Sequence, residues 1–347
     1  MSRFLAPFFL LCVSFLFAPL AATAAPITID TVPVGNAGNA PDPSDGDQFT
    51  AGVQNFGAVA YAYRIGKTEV TNAQYAEFLN AKAASDPLFL YSTDMESKAH
   101  GGITRSGVIG SYTYSVKPNM GDKPVNFVSW YDSIRFANWL HNGQGTGDTE
   151  TGAYTLLGGT PTPSNGNSII RNPSATWFLP SEDEWYKSAY HQPAAEGGDA
   201  DSYWLYPTAS NSAPTVATAD LVGNISNPGA NVANYLSGAD WNSQNGNVTT
   251  VGSAGPLSES FYGTSDQGGN VFEWNEALIS GSFRGLRGGS WYLVTSNLQS
   301  SVRYDNDPTG VDSAPIGFRV ATVPEPSNAV LGIIGCAVLW VLRKRLK

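Results

Sequence analysis

The chain carries only two cysteines, Cys12 and Cys336, and both lie inside apolar terminal runs. Everything between them must hold together without a disulfide, and it has no thiolate ligand and no sulfur nucleophile. About 300 residues remain, enough for one large domain or two small ones, and no linker divides them. The nine Trp residues are expected mainly in a core, with exposed ones lining a ligand cleft.

Both ends read as addresses and not as fold. Residues 1–24 contain Arg3, an apolar run through Leu20 and the small-x-small pattern Ala22-Thr23-Ala24. That is a Sec-type signal peptide, cut after Ala24 or Ala25. Residues 323–347 contain Pro324-Glu325-Pro326, then a 14-residue apolar run from Ala329 to Leu342. The run is shorter than the ~20 residues of a stable spanning helix. The basic tip of Arg343, Lys344, Arg345 and Lys347 would stay on the cytoplasmic side. This tail resembles the bacterial PEP-CTERM sorting signal. The resemblance implies exosortase as a processing partner, transient anchoring in the inner membrane through this tail alone, and delivery to the cell surface or beyond. Residues 25–322 are the expected domain.

Five of the 19 basic residues lie in the terminal segments, against 29 acidic residues in the chain. The exported part is distinctly acidic, which argues against nucleic acid as a partner. Charged residues make up only 14%, below the roughly 25% of ordinary domains, and Asn, Ser, Thr and Gly take their place.

Three helix starts of one type follow each other. Thr71-x-x-Gln74 opens NAQYAEFLNAKAA, Ser129-x-x-Asp132 opens WYDSIRFANWLHN with Gly143 as its stop, and Ser181-x-x-Glu184 opens EDEWYKSAYH. In each, the cap oxygen can satisfy an orphan N–H. Val59–Ile65 alternates as a half-buried strand would, and short strands are expected at Ala153–Leu157 and Thr176–Leu179. Residues 143–176 and 192–232 are loop-rich, and no long helix follows Asn234. The reading is one α+β domain with little regular structure. The stretch QGGNVFEWNEALISGSFRGLRGGSW, residues 267–291, stands out for its glycine doublets, which ask for positive φ or close backbone approach.

IGKTEVTNAQYAEFL, KPVNFVSWYDSIRFANWL, FLPSEDEWYKSA, GGNVFEW, LRGGSW and GFRVA occur in an order that resembles the formylglycine-generating, or sulfatase-modifying factor, family. The resemblance covers roughly Val32 to Ala321. It implies a single α+β domain related to C-type lectins and stabilised by calcium. By matching position, one calcium site would use Asp266, the carbonyls of Gly269 and Val271, and Glu273, a mixture of hard oxygens suited to that ion. A second would start at Asn234 and the carbonyl of Tyr235, with its other ligands unplaced.

The same resemblance implies two copper-binding catalytic cysteines shortly after RGGSW, and those positions are Leu293 and Leu298. Leucine neither binds copper(I) nor exchanges with a substrate thiol, so no copper and no catalytic residue is expected. The iron-using relatives carry their histidines in an additional helical domain, and no stretch here reads as one. His100, His141 and His191 show no metal-type spacing; His141 and His191 are expected to complement helix dipoles. Arg284, Arg287 and Arg319 would line a groove or, more commonly beside Trp, be stacked and structural. Two functions remain open: a calcium-stabilised, non-catalytic binding or structural module facing exopolysaccharide or a surface protein, or an oxidoreductase using a non-cysteine site.

Overall fold

In a computed structural model, residues 26–44, 46–47, 50–53, 55–311 and 315–323 are described. Both terminal address segments, with Cys12 and Cys336, lie outside the described residues. Among the described residues, no helix is long and apolar enough to cross a membrane.

All three expected helices form, each with its reciprocal capping box: α1 (Asn72–Lys82), α3 (Trp130–His141) and α4 (Glu182–Tyr190). One turn of helix, α2 (Asp94–Ser97), was not anticipated. Two four-stranded sheets carry the domain. One orders Thr31–Val34, Tyr63–Gly66, Ala321–Thr322 and Trp177–Phe178, so its first and last strands in sequence lie two places apart. The other orders Tyr304–Asn306, Phe283–Arg287, Phe272–Ile279 and Ile316–Gly317. The result is an α+β domain with few helices and many short strands.

The core centres on Phe136 of α3, whose ring lies 5.4 Å from both Phe78 and Phe318 and 6.0 Å from Tyr75. Trp130 through Leu140 are buried on every side of α3, as befits a helix that crosses the middle of a domain. Its polar side chains hold the following loop. Asn138 donates to the carbonyls of Thr149 and Tyr154 and accepts from the Tyr154 amide. Arg135 pairs with Glu150 at 2.7 Å and donates to the carbonyls of Thr160 and Pro161. This bears on why Ala153–Leu157 is not a strand: Asn138 takes both backbone groups of Tyr154, and loop residues take the others, with Asn172 N on Ala153 O and the Asn165 carboxamide on Thr155 O and Leu157 N. The Val59–Ile65 expectation shortens to a strand at Tyr63–Gly66, while Thr176–Leu179 holds one at Trp177–Phe178. The longest strand pair, Phe272–Ile279 with Phe283–Arg287, occupies the glycine-rich stretch and had no alternating pattern to announce it.

The arginines named above are all structural. Arg284 stacks 3.7 Å over Trp130 and donates to three backbone carbonyls. Arg287 pairs with Glu182 and Arg319 with Glu273. Arg171, from a loop, does similar work: it lies 3.6 Å over Phe178 and joins Glu184 at 2.6 Å to Glu276 at 2.7 Å. Replacing it by Met in Arg171→Met leaves two carboxylates without a cation. We expect a loss of about 3–5 kcal/mol in urea unfolding; a loss below about 1 kcal/mol would show both carboxylates to be adequately solvated.

His191 corrects an expectation. It caps α4, but it is 2% exposed, with Nδ1 2.8 Å from the Tyr262 hydroxyl and Nε2 3.3 Å from the Asn36 carboxamide. Burial, with Lys187 beside it, pushes its pKa down to about 4, so it is a neutral core group and not a dipole-compensating cation. Because the folded pKa lies below the unfolded ~6.5, its contribution is fully present above pH 6.5. It is lost as pH falls through that value towards 4, by at most about 3 kcal/mol. His191→Gln should melt with a shallower pH dependence than wild type across that window. Parallel melting curves for the two proteins would remove this assignment.

Candidate metal centre

Two glycine doublets allow one backbone knot. Gly269 sits at φ 89°, where an added Cβ would lie 2.2 Å from the Asn234 carbonyl. Gly288 sits at φ 94°, with Gln267 O 2.6 Å from its imagined Cβ. With no side chains in the way, Asn270 N donates to Asn234 O at 2.8 Å, Gly269 N to Gly288 O at 2.8 Å, and Trp291 N to Asn270 O at 3.0 Å. The fold thus brings the two expected ligand sets, Asn234–Tyr235 and Asp266–Glu273, side by side across 30 residues of loop.

Their chemistry differs from residue to residue. Glu273 is wholly buried and takes Arg319 Nε at 2.6 Å, Arg319 Nη2 at 2.7 Å and Trp185 Nε1 at 2.7 Å. Its charge is therefore already neutralised by a guanidinium. Asp266, at φ 62°, is half-buried and accepts from the Gly252 amide. Val271 is buried, packed with Met120, Trp241 and Val248. A third acidic neighbour comes from a place no spacing argument reached: Glu69, in the TEVT run just ahead of α1. It is 1% exposed, its Oε1 accepts from Asn270 Nδ2 at 3.0 Å, and its Oε2 has no partner. Burial first, then the charges of Asp266 and Glu273, hold the Glu69 carboxyl well above the usual carboxylate range. Burial likewise pushes Asp266 up to about 6. The only sequence signal for Glu69 was membership in the IGKTEVT motif.

The second set fits a hard cation better. Asn234 is 2% exposed and its Oδ1 is buried without a partner. Its Nδ2 points to Asn247 O at 2.9 Å, Thr249 Oγ1 at 3.2 Å and Asn270 Oδ1 at 3.2 Å. Tyr235 is buried, its hydroxyl donating to Pro214 O at 2.6 Å. An unpaired carboxamide oxygen among hard oxygens fits calcium. Among the described residues, no three His, Cys, Asp or Glu side chains close into a preformed metal cage. An ion here would be held by carboxamide and carbonyl oxygens with at most two carboxylates.

The expected thiol positions are occupied by packing. Leu298 is 0% exposed in a cluster with Tyr206, Ala233 and Tyr235. Leu293 is half-buried, its amide bonded to Ser290 O and its carbonyl to Leu236 N. Nearby, the His100 ring lies 5.8 Å from Trp291 and 5.0 Å from Phe127. Burial lowers its pKa. It stands alone: the His141 ring bonds Thr176 and the His191 ring bonds Tyr262 and Asn36.

Known proteins bear on this arrangement in two ways. The hercynine oxygenase of Mycolicibacterium smegmatis is 23% identical over 276 residues, 71% of this chain. The chain spans about half the length of that relative, 50%. The solved structure of Treponema denticola variable protein 1 superposes with a TM-score of 0.51 at 21% identity, covering 88% of this chain and 98% of that one. That likeness concerns the fold alone. The family follows from residues 31–323, nearly the whole described chain, which match the sulfatase-modifying factor enzyme 1-like domain: the protein belongs to that family.

Proposed function

We propose that residues 25–322 form a non-catalytic, calcium-stabilised binding or structural module, exported and delivered to the cell surface, where it associates with exopolysaccharide. The observation that carries this reading is Leu298, fully buried in an apolar cluster at one of the two positions where the formylglycine-generating chemistry needs a thiolate. Leu293 holds the other, and neither Cys12 nor Cys336 lies within residues 25–322. Copper(I) requires soft ligands; that span holds no thiolate, and its two thioethers, Met95 and Met120, are buried in separate apolar clusters. Calcium is supported by the unpaired Asn234 oxygen, which would contribute one ligand; the ion would supply structural cross-linking of loops.

A second reading, an oxidoreductase with a non-cysteine site, draws on the similarity to hercynine oxygenase. The purified protein decides between them. Incubated with a sulfatase-type CxPxR peptide and copper(I), it should leave the peptide cysteine unchanged by mass spectrometry, and metal analysis should find calcium without copper or iron. Oxidation of the peptide, or stoichiometric copper or iron, would establish the enzyme reading instead.

Surface delivery rests on the Ala22-Thr23-Ala24 pattern and the Pro324-Glu325-Pro326 tail. Mass spectrometry of the exported protein should show neither Met1 nor Lys347. An intact C-terminus on surface-exposed protein would exclude exosortase processing.

A further inference from the structure

We propose that Glu69, together with Asp266, binds a hard divalent cation, calcium in the first instance, and that Glu273 serves Arg319 and not the ion. The proposal rests on the calcium reading above and reassigns its carboxylate.

Glu69 and Asp266 sit on two segments joined by Ser265 N donating to Lys67 O at 2.7 Å, and Arg319 bridges the same segments by donating to Lys67 O, Ser265 O and the Glu273 carboxylate. The neighbouring Lys67 is matched by Glu259 at 3.0 Å, so it leaves nothing over for the cluster. Three carboxylates against one guanidinium leave a surplus of two negative charges when all are ionised. Two of the carboxylates, Glu69 and Glu273, are 1% and 0% exposed. A surplus of that kind in a dry site is tolerated only if something cationic fills it or the acids take up protons.

Hydrogen bonding says where the cation goes. Arg319 spends Nε and Nη2 on Glu273, its Nη1 on the carbonyls of Gly66 and Lys67, and Nη2 also on Ser265 O. No N–H of Arg319 is directed to Glu69 or Asp266. Asn270 Nδ2 reaches only Oε1 of Glu69, and Oε2 is buried and bare. The same Asn270 carboxamide turns its oxygen to Thr249 N and Asn234 Nδ2. Asn234, whose Oδ1 is also buried and bare, is thus linked to Glu69 through one side chain. Glu69 Oε2 and Asn234 Oδ1 are hard oxygens, which select a hard cation over a soft one. The irregular mixture of carboxylate and carboxamide suits calcium better than magnesium, which demands near-ideal octahedral geometry. Asp266 is the half-buried member, and its Oδ2 accepts from the Gly252 amide.

The test uses the full exported protein with calcium and with terbium as a luminescent probe. Wild type should bind calcium and melt higher in its presence than in chelator. Glu69→Gln should bind calcium at least tenfold more weakly and lose one equivalent of terbium. In chelator it should melt at or above wild type, because a bare buried carboxylate has gone. Asp266→Asn should weaken binding in the same way. Glu273→Gln should lower melting equally with and without calcium, the signature of a broken ion pair. Should Glu69→Gln fail to fold, Glu69→Asp keeps the charge, and weakened calcium binding there supports the proposal equally. Unchanged affinity and stoichiometry in the Glu69 variant would overturn the assignment while leaving the calcium reading intact. No calcium binding by wild type, with Glu69→Gln more stable in every buffer, would overturn both and show that Glu69 carries a proton.

Discussion

The buried pair of Glu273 and Arg319 is the constraint around which the domain closes. Both side chains are 0% exposed, and two of the guanidinium N–H groups meet the carboxylate at 2.6 and 2.7 Å. The remaining donors fasten the carbonyls of Gly66, Lys67 and Ser265, while the Trp185 indole completes the carboxylate. One ion pair therefore ties the N-terminal sheet, α4, the loop before the glycine doublet and the longest strand. Such a pair does not add much net stability over apolar packing, since desolvation cancels most of the attraction. What it does is penalise any arrangement in which these four pieces fail to meet, because each would then leave a charge or a carbonyl bare in the interior.

The same logic runs through the loops. A domain with so little regular structure and no disulfide must satisfy its backbone in another way, and it does so with side chains. Asn138 and Arg135 from α3 hold residues 149–161, and Asn72 from α1 takes the carbonyls of Met120, Lys123 and Pro124. The low charge content of the sequence matches this use: Asn, Ser and Thr replace charged surface groups because they bind backbone at short range. The candidate metal centre is one more instance, in which Asn234, Asn270 and Glu69 form a chain of carboxamides and carboxylate. It differs only in leaving two oxygens without a hydrogen-bond donor.

Legibility was uneven for physical reasons. The capping boxes at Thr71, Ser129 and Ser181 were readable because they are local, the cap and its partner lying three residues apart. Asp266, Glu273, Asn234 and the thiol positions Leu293 and Leu298 were singled out only through the resemblance, and spacing alone gave no reason to choose them. The strand Phe272–Ile279 escaped because its first four residues are all buried, so no alternation survives to mark it. Glu69 escaped because a glutamate before a capping box looks like any solvated helix-entry residue.

By itself the sequence determined the helix starts, the absence of any thiol between residues 25 and 322, the family, and hence the class of fold. These depend on residue identity and on contacts a few positions apart. Tertiary structure alone decided which carboxylate is free. Glu273 and Glu69 are the same chemical group, separated by about 200 positions in the chain. One meets a guanidinium and the other a single carboxamide N–H that leaves Oε2 bare, and that difference is made by where Arg319 arrives from the far end of the domain. Burial turns the difference into chemistry, because a bare carboxylate is inconsequential in water and a demand for a partner inside a protein.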